Sequence, residues 1–280
     1  MTSNDVVTAR GADTLDAVLR DPAGTVLALD FDGTLAPITH DPESARAHPG
    51  SIMALERLGV RLARIAVVTG RPVATAVRLG GFEALAGLDS MVVMGQYGVE
   101  RWDAATRETY SPPPPPGIVG IDAELPGLLA GLGLGEARVE HKGRAVVVHT
   151  RGLAQPDSAL DRLRGPLAAL ADRNEMVVEP GKQVLEIREP GTDKGDAIRV
   201  LVDEAAARQV IFAGDDLGDL PAFDAVDELH AAGIKGLLVC SSSEEQDALV
   251  ARADVVVHGP DAVAEWLTWL ADELDRRDDG

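Results

Sequence analysis

Two aspartates, Asp30 and Asp32, end an apolar run that begins at Val26 and is followed directly by Gly33-Thr34. The length and branching of this run predict a buried strand over residues 26–32 that ends at the glycine. Because alternate side chains of a strand point to the same side, we expect both carboxylates to face one space. Burying two carboxylates costs free energy unless a cation or a proton compensates. The pair therefore indicates a catalytic site, at the edge where open α/β sheets bind ligands.

Further apolar runs alternate with stretches rich in alanine, leucine and arginine, which predicts an α/β fold with a mainly parallel sheet flanked by helices. Core strands are predicted at residues 26–32, 64–69, 91–94, 210–213, 236–240 and 254–257. Helices are predicted at residues 49–62 and 196–207, and the apolar spacing of residues 263–270 predicts a last helix.

The middle of the chain differs from this pattern. Five consecutive prolines occupy positions 112–116, and they cannot continue the interior of a sheet. Two strands, a helix and two further strands are predicted between residues 137 and 188, after which the core pattern resumes near Gly191. We therefore predict a catalytic core domain formed by residues 1–113 and 190–280, with a second, α+β domain inserted at residues 114–189.

The charge and composition of the chain limit the kinds of molecule that it is expected to bind. The formal net charge is −20, which argues against a nucleic acid or an anionic membrane surface as a partner. No stretch approaches the length of a membrane span, and the N-terminus lacks the basic and apolar segments of a secretory signal. The single cysteine, Cys240, cannot form an internal disulfide. We expect a cytoplasmic monomer with no nucleic-acid and no membrane partner.

Three more segments carry polar groups suited to phosphate or metal chemistry: Thr69-Gly70-Arg71, Lys194 and Gly214-Asp215-Asp216. In this order after Asp30-x-Asp32-Gly-Thr, they resemble the four signatures of the haloacid dehalogenase superfamily of aspartate-nucleophile phosphatases. The long gap between the second and third signatures is similar to that of members with an inserted cap domain. The resemblance implies a Rossmann-like core with a cap at residues 114–189.

The resemblance also implies a role for each signature. Asp30 would be the nucleophile that forms an aspartyl-phosphate, and Asp32 would act first as general acid and then as base. Mg²⁺ would be the cofactor, with Asp30, the backbone carbonyl of Asp32, and Asp215 as its ligands. Asp216 and Asp219 would be auxiliary acids. Thr69 and Lys194 are expected to be catalytic, and the expected phosphate-binding residues are Gly33, Thr34, Thr69, Gly70, Arg71 and Lys194.

Two patterns in the inserted segment resemble those of trehalose-6-phosphate phosphatases. Glu140-His-Lys142, followed by His149-Thr-Arg151, is similar to their Glu-x-Lys…His-x-Arg pattern, and Lys182…Glu186-Ile-Arg188 is similar to their Gly-Lys…Glu-Ile-Arg signature. The resemblance implies that sugar hydroxyls are bound by Glu140, Lys142, Lys182 and Glu186. Charges on a solvated sheet face would give the same alternation, and the roles of Arg151 and Arg188 stay open.

The sequence departs from that family in two places. Tyr97 stands where the family usually has the histidine of Gly-x-His-Gly-x-Glu, so recognition of the leaving group is in doubt. The segment at residues 214–220 lacks the Thr and Glu that usually flank its third acid, Asp219.

The function expected from these resemblances is hydrolysis of trehalose 6-phosphate to trehalose and phosphate, a step of trehalose biosynthesis. The same machinery would also serve another phosphorylated disaccharide, such as sucrose 6-phosphate or a trehalose-like pseudo-disaccharide, because cap residues decide the substrate. A phosphoaspartate signalling domain is a hypothesis of another class, although receiver domains are shorter and lack the second acid. A carbohydrate-binding protein without catalysis is a third, against which the intact acids and lysine argue.

Overall fold

The computed structural model describes residues 8–39, 41–85, 87–181, 183–242 and 247–278. The chain divides into two compact units, a core unit of Met1–Ser111 with Asp193–Gly280 and an inserted unit of Pro112–Thr192. Among the described residues, no helix combines the length and the apolar composition that crossing a bilayer requires.

Helices and strands alternate through most of the chain. The helices are α1 (Ala9–Arg20), α2 (Pro49–Gly59), α3 (Val73–Gly80), α4 (Pro116–Gly131), α5 (Pro156–Arg173), α6 (Lys194–Glu204), α7 (Leu220–Ala231), α8 (Asp247–Val250) and α9 (Gly259–Asp278). The strands are β1 (Thr25–Leu29), β2 (Arg64–Val68), β3 (Met91–Gly95), β4 (Glu100–Asp103), β5 (Thr109–Tyr110), β6 (Arg138–His141), β7 (Ala145–His149), β8 (Val177–Gly181), β9 (Val184–Arg188), β10 (Gln209–Gly214), β11 (Lys235–Ser241) and β12 (Val255–Val257).

The core unit is built on one sheet with the strand order β12-β11-β10-β1-β2-β3-β4-β5. The pairs from β12 to β3 are parallel, whereas β4 and β5 add an antiparallel edge. Strand β1 lies in the middle, with Leu27 opposite Ile211 on one side and Ile65 on the other. All five residues of β1 are buried, as expected for a parallel strand covered on both faces.

Alternation along β1 separates two apolar clusters. Leu27 and Leu29 face a cluster that includes Trp266 of α9, and Val26 and Ala28 face a second cluster that includes Phe223 of α7. Helices therefore cover both faces of the sheet, and the carboxyl ends of its strands are held by a packed core on each side.

Strand β1 is shorter than predicted. It ends at Leu29 rather than at residue 32, although the amide of Asp30 still donates to the carbonyl of Ala213 at 2.8 Å. The chain then turns, because the amides of Leu35 and Ala36 both donate to the carbonyl of Phe31. The prediction that Asp32 belongs to the strand is therefore wrong, and Asp32 lies in this turn.

The inserted unit contains an antiparallel sheet with the strand order β6-β7-β9-β8. Helices α4 and α5 pack on one face of it, where Val146 and Val148 meet Leu125 of α4 and Leu163 of α5. Helix α4 is absent from the sequence prediction. It begins at Pro116, where a missing N–H is harmless, and it also contains Pro126, so its sequence is not typical of a helix.

The aromatic pair on the α7 face of the core sheet generates a stability prediction. Phe212 of β10 is fully buried and meets Phe223 edge-to-face, with ring centroids 6.0 Å apart. Phe212→Ala is expected to lower the free energy of unfolding by about 3–5 kcal/mol, because it opens a cavity beside the central strands. Val60→Ala, at a side chain that is 69% exposed, is the control and should change it by about 0.5 kcal/mol or less. Urea titration measures both, and equal losses would contradict this description of the core.

Candidate active site

The four sequence signatures meet at one edge of the core sheet. Asp30 follows β1, Thr69 follows β2 and Asp215 follows β10, and these three strands are parallel neighbours. Lys194 is the first residue of α6, which begins there because the Asp193 carboxylate accepts a hydrogen bond from the amide of Asp196 at 3.0 Å. The carboxyl ends of the strands and the start of this helix thus place the predicted residues together.

A buried ammonium holds two of the predicted acids. Lys194 Nζ donates to Asp30 Oδ1 at 2.5 Å and to Asp219 Oδ1 at 2.6 Å, and all three side chains are at most 7% exposed. Burial by itself lowers the pKa of Lys194, but the negative charges of Asp219 and Asp30 raise that pKa well above its usual value. Lys194 is therefore a fixed positive charge between two carboxylates.

Asp215 completes the acidic cluster. Asp30, Asp215 and Asp219 each offer a carboxylate oxygen, and these oxygens lie within 4.8 Å of one another. A Cβ at Gly33 would lie 2.0 Å from Asp215 Oδ2, and Gly33 has a φ of +80°, so only glycine lets the turn after Asp32 come this close. Burial raises the pKa of Asp30 to about 8 and that of Asp215 to about 10, with neighbouring carboxylates adding to both shifts.

These acids fit a hard divalent cation. Asp215 Oδ1 is buried without a hydrogen-bond partner among the described residues, and every candidate ligand is an oxygen, the donor that Mg²⁺ prefers. Asp219 is less suited to direct coordination because both of its oxygens already accept hydrogen bonds. Its Oδ2 accepts the amides of Asp215 at 2.8 Å and Asp216 at 3.1 Å. Asp216 lies at the surface, where its Oδ1 accepts the amide of Gly218.

The hydroxyl residues of the predicted phosphate-binding set are buried. Thr69 is 2% exposed, and its Oγ1 accepts a hydrogen bond from the amide of Arg71 at 3.1 Å. Thr34 is fully buried, and its Oγ1 has no hydrogen-bond partner within the described part of the chain. Ser241 was missed by the sequence prediction, yet its hydroxyl donates to the carbonyl of Gly33 at 2.7 Å. Its position at the end of β11, where an apolar run stops, is the signal that the other site residues also have.

Arg71 contacts a carboxylate in this structure. Its Nε and Nη2 donate to Asp32 Oδ2 and Oδ1 at 2.6 and 2.7 Å. Asp30 and Asp32 are thus held by different cations, Lys194 and Arg71. The role of Arg71 as a phosphate ligand remains a prediction.

The predicted sugar-binding residues lie in the inserted unit. Glu140, Val147 and Glu186 occupy matching positions across β6, β7 and β9. Lys142 Nζ donates to Glu186 Oε2 at 3.2 Å. A hydrogen bond from His149 lowers the pKa of Glu140.

The other residues singled out in this unit differ in their surroundings. Lys182 lies outside the described residues. Arg188 pairs with Glu179 at 3.0 Å and donates to the carbonyl of Thr192. Arg151 is exposed.

The raised pKa values of Asp30 and Asp215 predict how stability depends on pH and on a divalent cation. Above about pH 4 the unfolded chain loses protons that the folded protein keeps at these carboxyls. Without a cation, the two groups therefore make the free energy of unfolding fall as the pH rises toward the folded-state values of about 8 and 10. A cation bound there replaces the protons, so a fixed concentration of Mg²⁺ should raise Tm more at about pH 8 than at about pH 6.

Thermal unfolding of variants measures this effect. At about one hundred times its Kd, Mg²⁺ is expected to add about 2.7 kcal/mol to the free energy of unfolding. Asp215→Asn should lose most of that gain, whereas Asp13→Asn, which removes an exposed surface partner of Lys235, should keep it. Equal gains in the two variants would contradict a cation site at Asp215.

The sequence model of the Trehalose-phosphatase family matches residues 134–255. A trehalose-phosphate phosphatase of Mycobacterium leprae (strain TN) is 28% identical over 270 residues, which cover 92% of this chain and 59% of that protein. The chain thus spans less than two thirds of the length of this relative.

Solved structures share the architecture. The C-terminal domain of Candida albicans trehalose-6-phosphate phosphatase matches with a TM-score of 0.75 and 18% identity, over 95% of this chain and 97% of that one. A haloacid dehalogenase-like hydrolase from Bacteroides thetaiotaomicron matches with a TM-score of 0.57 and 16% identity, over 88% and 99%. At such identities the likeness establishes the fold alone, and it confirms the predicted α/β fold class with its inserted α+β part. The chain is thus similar in sequence to the trehalose phosphatases, and in architecture to a haloacid dehalogenase-like hydrolase.

Proposed function

We propose that the protein is a Mg²⁺-dependent phosphatase that converts trehalose 6-phosphate to trehalose and phosphate through an aspartyl-phosphate on Asp30. The observation that carries the proposal is the buried group of Asp30, Lys194 and Asp215. The Asp30 carboxylate contacts the Lys194 ammonium and lies near Asp215, whose Oδ1 has no hydrogen-bond partner among the described residues. The similarity to trehalose phosphatases supports the substrate class.

Asp30 forms the covalent intermediate in the first step. Its Oδ1 is held by Lys194, so Oδ2 is the oxygen that forms a bond to phosphorus. The bond between phosphorus and the sugar oxygen breaks at the same time, and the departing oxygen takes a proton from Asp32. Trehalose leaves, and the phosphoryl group stays on Asp30.

Water completes the cycle in the second step. Asp32, now a carboxylate, takes a proton from the water as the water oxygen bonds to phosphorus. The bond between phosphorus and the Asp30 oxygen breaks, which releases phosphate and restores both carboxyl groups to their starting states.

Positive charge is needed to bring a phosphate dianion to these acids. Lys194 supplies one fixed charge, and the hydroxyls of Thr69 and Thr34 with the backbone amides near Gly33 and Gly70 are proposed to hold the phosphoryl oxygens. When bound to Asp30, Asp215 and the backbone carbonyl of Asp32, Mg²⁺ would offset the remaining negative charge.

The inserted unit is proposed to determine the substrate. Glu186 is 8% exposed and pairs with Lys142, on the sheet face opposite the one that α4 and α5 cover. Charged groups of this kind, partly desolvated and pre-oriented by each other, suit hydrogen bonding to sugar hydroxyls. Glu140 and Lys182 belong to the same proposal.

A substrate panel tests the proposal. The value of kcat/KM should be higher for trehalose 6-phosphate than for sucrose 6-phosphate or glucose 6-phosphate. EDTA should abolish activity with all three substrates. Asp30→Asn should lower kcat about 10⁴-fold or more, the size of loss seen when a nucleophile is removed from other enzymes. Asp13→Asn is the matched control, because it makes the same chemical change at an exposed ion pair. A higher value for glucose 6-phosphate would refute the substrate, and an active Asp30→Asn variant would refute the nucleophile.

The proposed sugar contacts predict a loss of binding that depends on the sugar. Glu186→Gln and Lys142→Ala should each raise KM for trehalose 6-phosphate about 10- to 100-fold, the loss expected for a hydrogen bond to a charged group. The KM for p-nitrophenyl phosphate, which has no sugar, should change far less. Glu124→Gln, at an exposed ion pair with Arg173 in the same unit, is the control. Equal effects on both substrates would contradict sugar recognition by Glu186 and Lys142.

A further inference from the structure

We propose that Arg71 is a positioning residue that orients Asp32 for proton transfer, and that it does not bind the phosphoryl group; this rests on the proposed phosphatase function. The guanidinium contacts Asp32 through two hydrogen bonds, from Nε to Oδ2 at 2.6 Å and from Nη2 to Oδ1 at 2.7 Å. Such a bidentate contact fixes both the position and the plane of the carboxylate.

The rest of the guanidinium is also engaged. Nη1 donates to the carbonyl of Pro42 at 3.0 Å, and the guanidinium carbon lies 5.6 Å from the ring centroid of Phe31. Phe31 is fully buried and packs edge-to-face on Phe82. Each nitrogen of Arg71 thus has an acceptor, and one face of the group rests on a rigid core. The Nε and Nη2 pair, through which an arginine binds a phosphoryl group in a bidentate contact, is thus already bound to Asp32.

The backbone of Arg71 is held by the segment after β3. The amide of Gln96 donates to the Arg71 carbonyl at 2.9 Å, and the amide of Tyr97 donates to the Thr69 carbonyl at 3.0 Å. To make these bonds, Gln96 and Tyr97 adopt φ values of 49° and 61°, in the left-handed region that residues other than glycine rarely occupy. Two successive strained residues thus fix the turn that carries Arg71.

Further contacts of the same segment leave little freedom to that turn. A Cβ at Gly95 would lie 2.8 Å from the Arg71 carbonyl oxygen, and a Cβ at Gly70 would lie 2.8 Å from the phenol oxygen of Tyr97. The buried Glu100 accepts the amide of Val73, at the start of α3, at 2.7 Å. The Gly-x-Tyr-Gly-x-Glu segment at residues 95–100 therefore restricts the conformation of the turn that carries Arg71.

Asp32 needs such support more than Asp30 does. Asp30 is buried and held by Lys194, whereas the Asp32 side chain is 36% exposed and lies in a turn beyond the end of β1. A general acid must keep its oxygen within hydrogen-bond reach of the departing group. Arg71, whose own side chain is 12% exposed, supplies this constraint from the turn that follows the neighbouring strand β2.

The leaving group separates the two possible roles of Arg71. A sugar oxygen needs a proton when it departs, whereas p-nitrophenolate leaves as a stable anion. In a rapid-mixing experiment, the first turnover of p-nitrophenyl phosphate reports phosphoryl transfer to Asp30 without protonation of the leaving group. The first turnover of trehalose 6-phosphate reports the same transfer with it.

Arg71→Ala should lower the first-turnover rate with trehalose 6-phosphate about 10²- to 10⁴-fold more than that with p-nitrophenyl phosphate. Arg71→Lys, which cannot make a bidentate contact, should also lose more first-turnover rate with trehalose 6-phosphate than with p-nitrophenyl phosphate. Asp32→Asn should show the same larger loss with trehalose 6-phosphate. Adding Arg71→Ala to Asp32→Asn should lower the first-turnover rate little further. The inhibition constant of inorganic phosphate should stay close to the wild-type value in Arg71→Lys. Arg101→Ala, which removes a surface ion pair with Glu204, is the control for loss of an arginine.

Equal losses with the two esters, together with weaker inhibition by inorganic phosphate, would overturn the proposal and make Arg71 a phosphate ligand. Additive losses in the double variant would overturn it as well. If Arg71→Ala does not fold, judged by circular dichroism, Arg71→Lys supplies the same comparison. A wild-type protein that hydrolyses neither ester would refute the phosphatase function itself, which distinguishes that failure from a failure of the role given to Arg71.

Discussion

The contact of the Lys194 ammonium with Asp30 and Asp219 is the interaction on which the rest of the site depends. Three carboxylates, including that of Asp215, are removed from water around this one ammonium. One fixed positive charge cannot offset three negative ones, so the cluster must keep protons or bind a further cation. Burial is the larger cause of the raised pKa values of Asp30 and Asp215, and the neighbouring carboxylates add to it.

The packed sheet makes so unfavourable a cluster possible. Apolar side chains on both faces of β1 hold the strand, so the acids at its end have little room to move apart. Neighbouring strands end at the same level, and each contributes one polar residue where its apolar run stops. Asp219 adds rigidity because it binds the amides of the loop that presents Asp215. The core thus supplies the free energy that keeps like charges together.

The sequence predicts those parts of the structure that depend on local residue patterns. Buried parallel strands are continuous apolar runs, so the core strands were predicted, and the spacing of the signatures indicated the acids and Lys194. The sequence does not predict helix α4, because this helix begins within the proline run and contains several glycines besides Pro126. It predicts too long a strand β1, because the turn after Leu29 depends on contacts with residues 35 and 36. The contacts of Arg71 with Asp32 and of Ser241 with Gly33 join residues far apart in sequence, and no local pattern encodes them.

Two acids of one motif are distinguished by their partners. Asp30 is buried and bound to Lys194, whereas Asp32 is partly exposed and bound to Arg71. The nucleophile role proposed for Asp30 requires the carboxylate, but burial raises the pKa of Asp30 to about 8, so the fold without a cation favours the protonated form near neutral pH. A divalent cation shared with Asp215 would favour the carboxylate, and phosphate binding would then depend on the same charge that activates the nucleophile. A single requirement, one more positive charge beside Lys194, would thus connect the stability of the fold with the proposed activation of Asp30 and the proposed binding of a phosphate ester.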